Sequence, residues 1–206
     1  MKIFYSAASP YVRKCMAVAH HLNLADRIEK LPSKAHPVDR DRSIIEHNPL
    51  GKVPTLVTDD GLALYDSRVI CEYLDALGNG GLFPKEGRAR WQALADQALA
   101  DGLLDAALLL RYEVTARAET LRSKEWQGGQ MDKIVTSLAR AERAFGEAGA
   151  SPEGRTDIGT ITLGCALGYL DFRFADFDWR KDHPKLAAWY SKFAELPAMK
   201  ATEPKA

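Results

Sequence analysis

The sequence predicts an α/β N-terminal domain of order βαβαββα followed by an all-α helical-bundle C-terminal domain. Three observations carry this. Short strand-like apolar runs alternate with helix-period segments over residues 1–78. Gly78-Asn79-Gly80-Gly81 and then Pro84-Lys85-Glu86-Gly87 break the chain. From Arg88 onward the pattern is helical throughout. The expected domains are therefore 1–78 and 88–206, with 79–87 as the linker.

Each element has a local reason. Lys2–Tyr5 reads as a short strand. Pro10 suits the first turn of a helix, which should run to about Leu22 with Val12, Met16, Val18 and Ala19 among its apolar positions. Ile28-Glu29-Lys30-Leu31 alternates as a second strand, stopped by Pro32. The polar stretch Ser33–His47 fits a loop with a short irregular helix. Thr55–Thr58 and Leu62–Tyr65 form strands around the hairpin signal Asp59-Asp60-Gly61. Asp66–Leu77 is a helix with Val69, Ile70, Tyr73, Leu74 and Leu77 on one side. In the second domain, Trp91–Arg117 is rich in Ala and Leu and free of proline, and Met131–Phe145 places Ile134, Val135, Leu138 and Phe145 at helical spacing. Ile158–Phe174 is apolar on all sides, as befits the central helix of a bundle. His183-Pro184-Lys185-Leu186 opens a last helix to about Leu196, and the polar tail after Pro197 is expected to be loose.

The bulk composition excludes some functions. Lys plus Arg and Asp plus Glu balance at 28 each, which gives no electrostatic case for nucleic acid or a membrane surface. No apolar run nears the roughly 18 residues that span a bilayer. Met1-Lys2-Ile3-Phe4-Tyr5 enters a strand directly, without the pattern of a secretory signal. Cys15, Cys71 and Cys165 are far apart, lack metal-type spacing and fall in amphipathic helical patterns. They are expected to be small buried hydrophobes in a reducing, cytoplasmic setting, with no metal bound.

One stretch points to chemistry. In Asn48-Pro49-Leu50-Gly51-Lys52-Val53-Pro54, a proline stands directly against the strand Thr55-Leu56-Val57. Proline cannot donate to a sheet ladder, so it belongs at a strand's first residue or in a special turn, including a cis one. Such a turn leaves the Val53 N–H and C=O free to pair with an extended peptide. Asp66-Ser67 at the next helix start offers that peptide a counter-charge and an anion site. Together they suggest a site for a small peptide.

With Ser9-Pro10-Tyr11-Val12-Arg13 after the first strand, Val53-Pro54 before the third and Asp66-Ser67 opening the third helix, the chain resembles the cytosolic glutathione S-transferase family. Gly168-Tyr169-Leu170-Asp171-Phe172-Arg173 and His183-Pro184-Lys185-Leu186 look like bacterial members of it. The likeness spans nearly the whole chain. It implies a thioredoxin-like first domain and a homodimeric detoxification enzyme. That enzyme would take glutathione as co-substrate, with no permanent cofactor, and conjugate it to a small hydrophobic electrophile.

The resemblance distributes roles. Ser9, directly before the proline as in the family's Ser-Pro type, becomes the catalytic residue in preference to Ser6. Its hydroxyl and the helix N-terminus both favour a thiolate. Lowering a thiol pKa from about 8.5 by roughly two units takes about 2.7 kcal/mol. One charge-assisted hydrogen bond supplies roughly 1.5–3 kcal/mol. The Val53 backbone would pair with the cysteinyl unit, with Pro54 cis. Asp66 and Ser67 would hold the γ-glutamyl end, and Lys52, or more weakly His47, the glycyl carboxylate. Tyr11, Arg111 and Tyr112 are the electrophile-pocket candidates, with Phe172 beside them, and Arg13 is expected in a structural salt bridge. The same fold also serves non-catalytic glutathione-binding or regulatory proteins and glutathione-dependent isomerases, dehalogenases and peroxidases. Family members start the central helix of the second domain with a Ser/Thr-x-x-Asp box. Here Asp157 takes the cap and Thr160 follows three later, so Asp157 is expected to cap without a strong carboxylate bond returned to its N–H.

Overall fold

The computed structural model describes residues 1–146 and 156–205. Their order is β1 (Lys2–Tyr5), α1 (Pro10–His21), β2 (Glu29–Pro32), α2 (Arg42–Ile45), β3 (Thr55–Val57), β4 (Ala63–Leu64) and α3 (Ser67–Gly78). Then come α4 (Gly87–Thr115), α5 (Lys124–Gly146), α6 (Ile158–Arg173), α7 (Trp179–Asp182), α8 (Pro184–Phe193) and α9 (Pro197–Lys200). This is a small mixed sheet with helices followed by a helical region, as the sequence predicts. Contacts divide it into two compact units, Met1–Arg90 with the residues from Pro197 on, and Trp91–Leu196. The division falls just after the predicted linker and returns the end of the chain to the first unit.

In the first unit the four strands run in the order β2-β1-β3-β4. β1 is parallel to β2, with Ile3 opposite Lys30. β3 is antiparallel to β1 and β4 to β3, with Leu56 opposite both Ile3 and Leu64. Ile3 and Leu56 are fully buried in the centre of this sheet. Pro32 ends β2, as expected, and is itself paired as the last residue of the strand, opposite Tyr5. An edge strand tolerates a residue with no N–H to give.

The helices α1 and α3 pack against each other. On α3 the buried face is Ser67, Ile70, Cys71, Leu74 and Asp75. Val69 and Leu77, expected on that face, are 46 % and 38 % exposed. The apolar positions of this helix form two stripes, and only the one at 67, 70, 71 and 74 faces inward. The Asp75 carboxylate accepts from the N–H groups of Leu82 and Phe83 at 2.9 and 3.0 Å, which anchors the chain after α3. The tail is not loose throughout: α9 packs on α1, and Met199 is buried. All three cysteines are buried and none forms a disulfide among the described residues, as expected.

In the second unit α6 is buried from Ile158 to Leu170. Gly159 lets it come close to α4, because a Cβ there would stand 2.9 Å from the Ala93 carbonyl oxygen. The start of α6 corrects an expectation. Asp157 Oδ1 accepts from the Thr160 N–H at 3.0 Å, and the Asp157 N–H donates to Thr160 Oγ1 at 2.9 Å. The box is closed by a hydroxyl, which accepts from the cap N–H as a carboxylate would. The helix α8 has no cap bond from His183. Glu142 of α5 substitutes for it, accepting from Lys185 and Leu186 N–H at 3.2 and 2.6 Å. Phe145, Trp189 and Phe193 pack together along the same contact. Among the described residues no helix is long and apolar enough to cross a membrane.

Candidate active site

The sheet register brings three chain segments to one end. β1 runs toward that end, antiparallel β3 starts there opposite Phe4, and β4 returns to it beside Leu56. The segments after β1, before β3 and after β4 therefore emerge together. They carry Ser9, Val53 and Asp66-Ser67.

Ser9 is the N-cap of α1, half-buried, with extended backbone (φ −83°, ψ 121°). Its Oγ accepts from the Val12 N–H at 3.3 Å, a long bond. A hydroxyl that only accepts in its cap keeps its own hydrogen to give away. Pro10 at the first helical position adds no competing N–H. Ser6 lies one turn back and accepts the Ser9 N–H on its carbonyl at 3.1 Å.

A buried Asn shapes the segment before β3. Asn48 Nδ2 donates to Thr55 Oγ1 at 2.9 Å, and its Oδ1 accepts from the Leu50 N–H at 3.0 Å. Thr55 Oγ1 in turn donates to the Lys52 carbonyl at 2.8 Å. Gly51 turns the chain at φ +61°, a conformation that suits glycine. The Val53–Pro54 peptide is cis, and so is Tyr65–Asp66. Among the described residues nothing pairs with the Val53 N–H or C=O. Lys52 is exposed and forms no ion pair there. His47 is also exposed, its ring 5.4 Å from that of Phe4.

Asp66 is the exposed N-cap of α3, and its Oδ1 accepts from the Arg68 N–H at 2.8 Å. Its Oδ2 accepts from no described residue. Ser67 follows as the first helical residue, 3 % exposed, with its carbonyl accepting from the Cys15 thiol at 3.7 Å. The Ser67 N–H is one of the helix's orphan donors and stays unpaired among the described residues.

The remaining candidates are distributed over both units. Tyr11 lies in the first turn of α1. Arg111 and Tyr112 lie on α4, in the second unit, where they act on Tyr169 and Arg173 of α6. Burial pushes the Tyr169 phenol up to about 12, against the pull of Arg111 and Arg173. Burial also raises Tyr112 and lowers Arg173, which stacks 3.8 Å over the Phe172 ring. Sequence reasoning missed Tyr169 and Arg173 as partners of Arg111, although their spacing of four already places them on one helix face. Arg13 forms no salt bridge among the described residues; it donates to the Met199 carbonyl. No group of three or more metal-ligating side chains occurs among them.

This arrangement is that of a thioredoxin-like domain with an unpaired backbone edge between two open helix starts. Family models match on both sides of the linker: the glutathione S-transferase N-terminal domain over residues 8–77 and the C-terminal domain over 86–192. The chain belongs to the glutathione S-transferase family.

Among its relatives, the uncharacterised GST-like protein YibF of Escherichia coli K12 is 32% identical over 206 residues, 99% of this chain and 98% of YibF. A glutathione transferase family member from Pseudomonas fluorescens Pf-5, solved with bound glutathione, is 46% identical. The match covers 100% of this chain and 99% of that one, with a TM-score of 0.94. A structure from the same organism with bound S-(propanoic acid)-glutathione is 44% identical, covers 99% of each chain and has a TM-score of 0.90.

Proposed function

We propose that the protein binds glutathione at this end of the sheet, activates it as the thiolate and conjugates it to a small hydrophobic electrophile. The observation that carries the reading is the placement of three unsatisfied features side by side: the Ser9 hydroxyl, the Val53 edge and the start of α3. The cysteinyl N–H and C=O of the tripeptide pair with Val53. The γ-glutamyl carboxylate takes the Ser67 N–H and the partial positive charge of the helix start. The γ-glutamyl ammonium takes Asp66, and Lys52 takes the glycyl carboxylate.

Ser9 acts by donating a hydrogen bond to the sulfur. The thiol proton leaves to solvent, and the N-terminal end of α1 adds favourable potential for the anion that remains. The thiolate then attacks the electrophile and forms a carbon–sulfur bond. In a substitution the leaving group departs with its electron pair; in an addition the new carbanion collects a proton from water. A thioether of glutathione is what the second Pseudomonas structure holds, and this favours conjugation over disulfide exchange. A homodimer in a reducing cytoplasm is the working form of the proposal; three cysteines without a disulfide are in keeping with that compartment.

The test is direct. The protein should be retained on glutathione resin and turn over a panel of small electrophiles. Ser9→Ala should lower turnover at least tenfold while glutathione binding persists. Unchanged turnover would remove Ser9 from the mechanism, and binding without turnover of any electrophile would make the protein a glutathione-binding module.

A further inference from the structure

We propose that Arg111 of α4 and Arg173 of α6, with the phenols of Tyr112 and Tyr169, bind the carboxylate of a small aromatic acid. All four residues lie within the second unit. Tyr169 and Arg173 stand one turn apart on α6. Both arginines act on the charge carried by the Tyr169 oxygen, so these three polar ends lie together. Tyr112 acts on the same oxygen.

The group is a set of donors without an acceptor. Neither guanidinium has an ion pair or hydrogen bond among the described residues, and neither phenol makes a hydrogen bond there. The carboxylates two residues away are engaged elsewhere. Asp171 accepts from Trp179 Nε1 and twice from Arg180, at 2.9, 2.6 and 2.7 Å. Glu113 accepts from Arg117 and from the Ser123 N–H, both at 2.8 Å. Within the group only Arg173 Nε is shut off from the surface. The remaining guanidinium nitrogens and both hydroxyls are accessible, although Tyr169 as a whole is 2 % exposed. A buried ring with an open, unpartnered hydroxyl presents a donor to whatever the arginines hold.

The electrostatics favour an anion. Burial and Arg111 both lower the Arg173 guanidinium, so two cations are held together at a cost that a negative ligand removes. The macrodipole favours a cation near the C-terminal end of each helix, but it gives no reason for the two to meet. Burial pushes Tyr169 up to about 12, so its phenol keeps its proton at neutral pH and remains a donor. The planar guanidinium fork matches a carboxylate. The half-buried rings of Tyr112 and Phe172, the latter 3.8 Å beneath Arg173, supply apolar area that a bare ion cannot use. An aromatic body uses it.

Benzoate is titrated calorimetrically into the full chain without glutathione, at constant ionic strength, with acetate and benzyl alcohol as companions. Benzoate should bind saturably at one site. It should bind severalfold more tightly than acetate, which lacks the ring, and at least tenfold more tightly than benzyl alcohol, which lacks the charge. Arg111→Met and Arg173→Met should each weaken benzoate binding at least tenfold. Both should melt at or above wild type without ligand, because the repulsion between the cations is gone. Tyr169→Phe keeps the ring, should fold normally and should weaken binding severalfold. The proposal is overturned if benzoate does not bind saturably, or if its binding is unchanged in both arginine variants. Benzyl alcohol binding as tightly as benzoate would overturn the anion, and acetate binding as tightly would overturn the aromatic body. With glutathione absent throughout, failure here leaves the transferase reading standing.

Discussion

The helices α1, α3 and α6 all start on a serine or aspartate, and the caps are used differently. At α6 the Asp157 carboxylate and the Thr160 hydroxyl satisfy each other's backbone N–H at 3.0 and 2.9 Å, and both residues are buried. At α1 and α3 the caps are left open. Ser9 makes one bond of 3.3 Å and keeps its hydrogen. Asp66 makes one bond of 2.8 Å, keeps Oδ2, and the Ser67 N–H beside it has no described partner. A donor already satisfied inside the protein has nothing to offer a ligand. The closed cap serves folding, and the open caps are suited to recognition at some expense in helix stability.

Substitutions can break or sharpen this contrast. The largest effect is expected at the closed cap. Asp157→Ala removes the cap and strands a buried N–H, which should destabilise the fold by about 2–3 kcal/mol in urea denaturation. Glutathione affinity of the folded fraction should stay the same. A cost below about 0.5 kcal/mol would show that the box is incidental.

Next comes Ser9→Ala, with turnover down at least tenfold, equivalent to about 1.4 kcal/mol or more, and stability down by less than about 1 kcal/mol. A large loss of stability with unchanged turnover would reverse the assignment and make Ser9 a structural cap. Asp66→Asn separates the two duties of that residue. Asn caps as well as Asp, so stability should hold. In the proposed complex the charge opposite the γ-glutamyl ammonium is lost, so the dissociation constant for glutathione should rise about ten- to a hundredfold, in line with the roughly 1.5–3 kcal/mol of a charged hydrogen bond. Calorimetric titration of glutathione reads it.

The smallest effect is expected at Thr160→Val, which keeps shape and loses the bond returned to the Asp157 N–H together with the one its hydroxyl donates to the Asp157 carbonyl. A loss of about 1 kcal/mol is expected in the same denaturation measurement. No loss would mean that Asp157 alone accounts for the cap.

The same contrast shows what could be read from the chain. Pro10, Pro54 and Asp66-Ser67 were legible because each acts within a few residues, through a fixed φ, a missing N–H or a cap. The third helix was legible as a helix but not in its inward face. Val69 and Ile70 are equally apolar, and only packing against α1 selects the stripe with Ile70 and Leu74. Pro32 was legible as the end of β2, but its pairing within the strand depends on β2 lying at the sheet edge. The Thr160 hydroxyl was underrated because cap geometry, not charge, decides whether it reaches the N–H. Glu142 as the cap of α8 could not have been found, since it lies more than 40 residues away on another helix. The site followed the same rule: its backbone elements were local and visible, while the grouping of Arg111 with Tyr169 and Arg173 joins two helices.

By itself the sequence determined where helices begin, which peptide edge lacks a ladder partner and to which family the pattern is similar. These depend on bonds between residues close along the chain. The tertiary structure alone decided that three such places meet at one end of the sheet, because strand direction and register are set by packing of whole faces. It also decided that Arg13 is buried with unmet donors instead of salt-bridged, since its surroundings come from both ends of the chain: β1 and α1 at one and the segment around Met199 at the other.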